Sequence, residues 1–299
     1  MKTNHLPWKL RNTDFFQPGW HTEPTAAYQL MIEFLRLSPS YELARLSRLG
    51  KLSNDQIKKL PRDFKNVLAV YDLIGDINYM LFREWWLING LRVFGVPFTK
   101  QDVHEIAFID SNNDFYFTNL NLKIESKIRE IRKLEGTRPT VLLTVPLDLK
   151  KSDVFKRINL ILKLHSQNTT KKQIQPKISL VGKRFHPSTN YRGLRLLWFK
   201  AAKPNLVNWR LGASFDINSN YKNVLDPKAP RKTKNNLESE DRINLGKITE
   251  RQIKKFERIA ENAARGRFPS DEAVEVLDFE YPILAKRLQK YLDWVKDHC

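Results

Sequence analysis

Seven residues in the second half of the chain have the types and spacing to hold an anionic ligand: Lys183, Arg184, His186, Arg192, Arg195, Lys200 and Lys203. Guanidinium and ammonium groups donate charge-assisted hydrogen bonds to phosphate oxygens, and an arginine in a major groove also reaches O6 and N7 of guanine. In a helix over 190–202, successive residues turn by about 100°, which places Leu194, Leu197, Trp198 and Ala201 on one inward stripe. The opposite arc then carries Arg192, Arg195 and Lys200, interleaved with Leu196 and Phe199. Such a helix suits docking on duplex DNA, with apolar groups for thymine methyls, and equally suits tracking of the phosphate backbone. Lys183, Arg184 and His186 fall in the turn before it, where basic side chains and backbone amides commonly meet phosphates. Residues 151–210 hold 14 Lys+Arg against a single acid, Asp153, whereas an ordinary solvated helix surface interleaves both signs.

Catalytic readings of the same region fit less well. Arg184, His186, Tyr191, Arg192 and Arg195 include the residue types of tyrosine recombinases, in which cations stabilise the phosphorane and tyrosine attacks. That arrangement needs its tyrosine well downstream of the cluster, not inside it. Asp110 and Asp114, followed by the Glu125-x-Lys127 pair, have the makings of a Mg²⁺-dependent nuclease. The helical spacing of Ile124, Ile128 and Ile131 instead puts Glu125 and Lys127 on a helix surface. The six histidines show no metal-ligand spacing, and the lone Cys299 cannot complete a zinc site. There is no glycine-rich phosphate loop and no serine in a nucleophile elbow. No catalytic residue, cofactor or metal is expected, and nothing in the sequence demands an enzyme.

The elements that must position the basic residues follow from periodicity. Residues 1–97 read as a helical unit: Ala27, Leu30, Met31, Phe34 and Leu35 recur at helical spacing after Pro24, and Ser38-Pro39 ends that run. A short helix follows over 41–48, and Ser53 with Gln56 is spaced as a capping box. The stretch 63–89 predicts two helices broken near Gly75-Asp76, with Tyr79, Phe82, Trp85 and Trp86 as core residues. Residues 98–217 read as a mixed α/β basic module that would bind nucleic acid. Its predicted strands lie at 105–109, 140–145 and 178–181, and its predicted helices at 153–164 and 190–202, the former with Phe155, Ile158 and Leu162 inward. That order of elements permits a winged-helix or helix-turn-helix arrangement. Residues 218–246, rich in Asn, Lys, Asp, Ser and Pro, read as a polar linker. Residues 247–299 read as C-terminal helices, opened by a second capping box at Thr249 and Gln252 and broken at Pro282. The expected fold is mainly α with small β elements.

Composition bounds the partners. The 299 residues carry 52 Lys+Arg and 33 Asp+Glu, a formal charge of +19, with a pI of about 9.9. Residues 1–150 account for +4 and residues 151–299 for +15, so the excess belongs to the second half. A field of this sign favours nucleic acid: duplex DNA first, RNA as a further partner. A membrane is not expected as a partner, because no polybasic run stands beside a lipid anchor or a strongly amphipathic helix. The N-terminal helices would serve a protein partner or self-association. One cysteine makes no disulfide framework, the N-terminus lacks an apolar signal stretch, and no run approaches a membrane span. The expected location is the cytoplasm.

Glu33-Phe34-Leu35-Arg36-Leu37-Ser38-Pro39-Ser40-Tyr41, preceded by Trp20 and Tyr28, resembles the opening motif of transcriptional-regulator-like proteins encoded on proteobacterial mobile elements. That motif is a Trp or Tyr followed by Glu-Phe-Leu-Arg-Arg-Asn-Pro-x-Tyr; here Leu37 and Ser38 stand where it has Arg-Asn. The resemblance spans about twenty residues and carries no catalytic residue. It implies a bacterial, plasmid- or island-borne origin and a DNA-related role, as a regulator or accessory factor of a mobile element. The other readings left open are a nuclease- or recombinase-type enzyme and an RNA-associated binding protein.

Overall fold

The computed structural model describes residues 15, 18–23, 25–96, 102–108, 117–136, 140–168, 176–181, 185–215, 217–221, 224–230 and 236–298. Pro24, Pro97, Ile109, Asp110, Asp114, Lys183, Arg184 and Cys299 lie outside them. Among the described residues there are eleven α-helices, besides 3₁₀ turns at Trp20–Thr22 and Ser219–Tyr221: α1 (Ala26–Leu37), α2 (Pro39–Arg48), α3 (Asn54–Lys58), α4 (Phe64–Ile74), α5 (Phe82–Phe94), α6 (Phe117–Glu135), α7 (Lys151–Asn168), α8 (Pro187–Ala202), α9 (Asn208–Ser214), α10 (Asn236–Ala263) and α11 (Tyr281–His298). The chain divides into two compact units, one of residues 1–85 with 178–299 and one of residues 86–177.

In the first unit α1 is buried on nearly every side and lies against α2, α8 and α10, its polar stripe of Gln29, Glu33 and Arg36 included. Ser38 turns the chain into α2: its Oγ accepts from the Tyr41 amide at 3.2 Å, and Pro39 occupies the first turn, where its missing N–H costs nothing. The capping box at Ser53 and Gln56 is formed, with both hydrogen bonds present. Gly75, at φ 85°, ends α4 in a conformation that other residues rarely adopt. Trp85 and Trp86 are buried, but Tyr79 is exposed.

The polar residues of the Glu33–Tyr41 motif are buried within this unit and make hydrogen bonds there, although Arg36 Nε itself has no hydrogen-bond partner among the described residues. Arg36 donates to the carbonyls of Ile77 and, at 2.8 Å, Met80; it pairs with Glu33 at 3.3 Å and lies 3.9 Å over the Tyr291 ring of α11. Glu261 of α10 is fully buried and accepts from Ser38 Oγ at 2.7 Å, from the Ser40 amide at 3.2 Å and from Ser40 Oγ. Arg265 donates to Glu261 at 3.0 Å and to both carboxylate oxygens of Asp63 at 2.6 and 2.8 Å. Tyr41 Oη donates to the Gly75 carbonyl at 2.8 Å. The motif therefore ties α1 and α2 to α4, α10 and α11 through buried charge, and it presents little to solvent.

Several sequence expectations are corrected. Among the described residues there is no strand: 105–108, 140–145 and 178–181 form no ladder, so a winged-helix arrangement is not seen. In the 178–181 stretch the Val181 amide reaches the Phe268 carbonyl at 2.8 Å as a single bond rather than a ladder. Helix α10 begins at Asn236, within the stretch read as linker, and Thr249 is an interior residue whose hydroxyl donates to the Leu245 carbonyl at 2.8 Å instead of capping a helix. Pro282 stands in the first turn of α11 and does not break it. Residues 226–230 are held in place: Arg210 donates to the Pro227 and Ala229 carbonyls at 3.3 and 2.7 Å, and Arg242 to Pro230 at 2.9 Å. Both guanidinium groups lie over the Trp209 ring, at 5.0 and 4.5 Å.

In the 86–177 unit, Trp86 stacks on Phe94 at 5.5 Å, and Gly136 closes α6 at φ 86°. Ile124, Ile128 and Ile131 are half-buried on α6, as are Leu120, Lys127 and Leu134. On α7 only Ile158 follows expectation. Phe155 and Leu162 are 63% and 47% exposed, and among the described residues no element packs extensively against α7.

Candidate nucleic-acid interface

Helix α8 is an interior element. Leu194, Leu197, Trp198 and Ala201 are buried as the periodicity predicts, and so are Leu196 and Phe199 on the arc expected to face out. The helix lies against α1, α9, α10 and α11. Gly193 fixes the crossing with α10: a Cβ there would stand 2.1 Å from the Phe256 ring.

One stripe of α8 stays open, and it carries three of the seven expected basic residues. Arg192, Arg195 and Lys203, at i, i+3 and i+11, share about 80° of the helix surface; Arg192 and Lys203 are exposed and Arg195 is half-buried. Among the described residues none of the three pairs with a carboxylate. Arg195 is held between rings, its guanidinium carbon 5.7 Å from the Tyr191 centroid and 5.5 Å from that of Phe215. Tyr191 in turn stacks on Phe15 at 5.0 Å and meets Trp20 edge-on at 5.1 Å. Phe199 packs against Phe215 at 4.9 Å, and Lys203 lies 5.4 Å over Phe199. The rings limit the rotamer freedom of Arg195; among the described residues its guanidinium meets no acceptor, and its Nε is buried without a hydrogen-bond partner.

The other expected residues are placed differently. His186 is exposed at the start of α8, and its carbonyl accepts from Asn190 Nδ2 at 3.0 Å. Lys200 leaves the stripe: its ammonium donates to the Pro204 carbonyl at 3.1 Å and sits 6.0 Å over Tyr281. Burial lowers the Lys200 pKa, partly offset by Glu257. Glu257 accepts from Tyr281 Oη at 2.5 Å, and burial raises both of their pKa values. Lys183 and Arg184 lie outside the described residues.

The acid-poor window itself is divided. Its first part, with α7, belongs to the 86–177 unit, and its second, with α8, to the other. On α6 the Glu125-x-Lys127 pair is spent in surface ion pairs, Arg129 to Glu125 at 2.5 Å and Lys127 to Glu130 at 3.0 Å. Burial raises the pKa of Tyr191, against the effect of Arg195, which makes its phenol a reluctant nucleophile. A cleft of about 280 Å³ in the 86–177 unit is lined by Asp102, His104, Lys127, Glu130, Ile131, Leu134 and Glu135, and His104 hydrogen-bonds Glu135 within it. Among the described residues no group of three or more His, Cys, Asp or Glu could hold a metal ion, and no helix is long and apolar enough to cross a membrane.

Sequence reasoning missed the aromatic frame of Arg195. Phe15, Trp20, Tyr191 and Phe215 come from separate segments, and no local spacing signals their meeting. It also missed the structural use of Arg210 and Arg242, for which the flanking Trp209 is the one local hint. No protein-family model, curated protein or solved structure matches this chain.

Proposed function

We propose that the chain is a nucleic-acid-binding protein without catalytic activity, which meets its ligand along the open stripe of α8. The observation that carries the reading is the set Arg192, Arg195 and Lys203, free of carboxylate partners in a sequence with no acid between Asp153 and Asp216. Because α8 is enclosed on its other sides, its stripe suits contact with successive phosphates better than insertion into a major groove, which needs a helix that protrudes. The resemblance of the Glu33–Tyr41 segment favours DNA and a role as regulator or accessory factor of a bacterial mobile element.

A mobility-shift titration of the full chain at two salt concentrations, with and without Mg²⁺, tests this. Duplex DNA should bind with affinity that falls steeply with salt and should stay uncut when Mg²⁺ is present. Absence of binding to duplex, single-stranded DNA and structured RNA alike would overturn the reading. Preference for structured RNA in competition would replace DNA as the ligand, and cleavage would return the nuclease.

A further inference from the structure

The cationic stripe of α8 has an aromatic border. Tyr191 lies about 40° beyond Arg195 around the helix, on the side away from Arg192 and Lys203. Trp20 continues the border: its ring meets Tyr191 at 5.1 Å and 64° and Phe15 at 4.8 Å and 87°, while Phe15 and Tyr191 stack on each other at 5.0 Å. The His21 ring stands 6.0 Å from Trp20, at 83°. Every ring that meets Trp20 among the described residues does so at a steep angle, and none is stacked on its face.

Trp20 is held in that position. It opens the 3₁₀ turn Trp20–Thr22, in which the Thr22 amide and hydroxyl both donate to the Gly19 carbonyl, at 2.8 and 2.7 Å, and the turn lies against α1. Trp20, Tyr191 and Phe215 are half-buried, so each keeps some surface in solvent, and His21 is exposed. Trp85 and Trp86, by contrast, are enclosed as core residues. In a duplex the bases stack on one another and offer such rings no free face, so a duplex would meet the cations and leave the border unused. An unpaired base does have a free face. Cations that follow the phosphates, beside rings that take the bases, are the composition of surfaces that bind single strands.

We propose that the ligand of the α8 stripe carries unpaired bases: its phosphates lie along Arg192, Arg195 and Lys203, and a base stacks on Trp20 beside Tyr191. The proposal rests on the α8 reading and narrows its ligand to a single strand, or to a duplex with an unpaired stretch. Two features favour it over duplex alone. Arg192, Arg195 and Lys203 form one row along one helix, which follows one strand rather than two. Arg195 lies 5.7 Å from the Tyr191 ring and Tyr191 5.1 Å from Trp20, so one short run of nucleotides reaches both a cation and a ring. Stacking of this kind tolerates any base, since every base has a π face.

Anisotropy titration of the full chain with an oligo-dT of about 15 nucleotides, and with an abasic strand of the same length and charge, tests the proposal. The wild type should bind oligo-dT about fivefold or more tighter than the abasic strand, the equivalent of one stacked base at about 1 kcal/mol. Trp20→Leu keeps an apolar contact for Phe15 and Tyr191 but has no π face, so it should bind the two strands alike. Its salt slope should stay that of the wild type, since no cation is removed. A wild type that binds both strands equally overturns the proposal, as does a Trp20→Leu variant that keeps the full preference. Should Trp20→Leu lose the wild-type circular dichroism, the wild-type comparison of the two strands decides alone. Oligo-rU bound with the same dependence on Trp20 supports the proposal with RNA as the strand, whereas displacement of oligo-dT by equimolar dTMP overturns it in favour of a free nucleotide. Equal binding of both strands leaves the α8 reading standing; no binding of either strand or of duplex overturns both.

Discussion

The triple substitution Arg192→Gln, Arg195→Gln and Lys203→Gln tests the α8 stripe at its charge while leaving the fold alone. Arg192 and Lys203 are exposed, and glutamine keeps much of the Arg195 stem between Tyr191 and Phe215. Each cation neutralising a phosphate releases counterions and contributes about 0.9 to the slope of log K against log salt on duplex DNA, so three should contribute about 2.7. Between 50 and 200 mM salt, a slope difference of that size means the wild type loses roughly 40-fold more affinity than the variant. On a single strand, at about 0.7 per phosphate, the difference falls to about 2.1, or roughly 20-fold. Fluorescence anisotropy titrations at four salt concentrations give the slope directly. Lys200→Gln is the control, because Lys200 is turned toward Pro204, Glu257 and Tyr281, away from the stripe, and its slope should match the wild type. A triple variant with an unchanged slope, or a Lys200→Gln slope reduced as much, would refute the assignment of the stripe.

Three further outcomes follow from the packing of the same unit. Glu261→Ala leaves Arg265, Ser38 and Ser40 buried without their common acceptor and should cost about 3–5 kcal/mol in urea unfolding; a loss below about 1 kcal/mol would mean that the carboxylate is solvated in solution. Gly193→Ala should gain roughly 1 kcal/mol of helix propensity and still be destabilising, because the new Cβ meets the buried Phe256 ring. Stabilisation on thermal melting would show that α8 and α10 do not approach so closely. Asp63 is held below the usual carboxylate range by its hydrogen bonds from Arg265. A depressed folded-state pKa gives stability that is present above the unfolded-state value and lost as pH falls through the folded one. Asp63→Asn should therefore lower Tm at neutral pH, with the deficit shrinking under acid; a deficit independent of pH would place the interaction elsewhere.

How far the sequence reports this structure depends on whether the deciding neighbours are local. The Ser53–Gln56 capping box and the break at Gly75 depend on adjacent residues and are legible. Thr249 and Gln252 have the same spacing, yet α10 runs through them, because upstream Arg242 and Leu245 are anchored on Trp209 and against Gly212 of α9. The 140–145 stretch shows strand propensity, but a strand also needs a second strand, and no described residue supplies one. On α8 the inward stripe is legible, and Leu196 and Phe199 on the other arc carry the further signal that two sides are buried. Which cations remain outside is not legible, since that depends on where α9, α10 and α11 close.

If the α8 stripe meets nucleic acid as proposed, the enclosure of the helix decides how it can do so. A recognition helix must offer most of one side to the groove, whereas here four helices lie against α8 and its three open cations share only about 80° of its circumference. A strip of that width, with cations at 192, 195 and 203, spans 11 residues, or about 16 Å along the helix, the reach of two or three phosphates on one strand. Contacts of that number support only weak, sequence-blind affinity by a single copy.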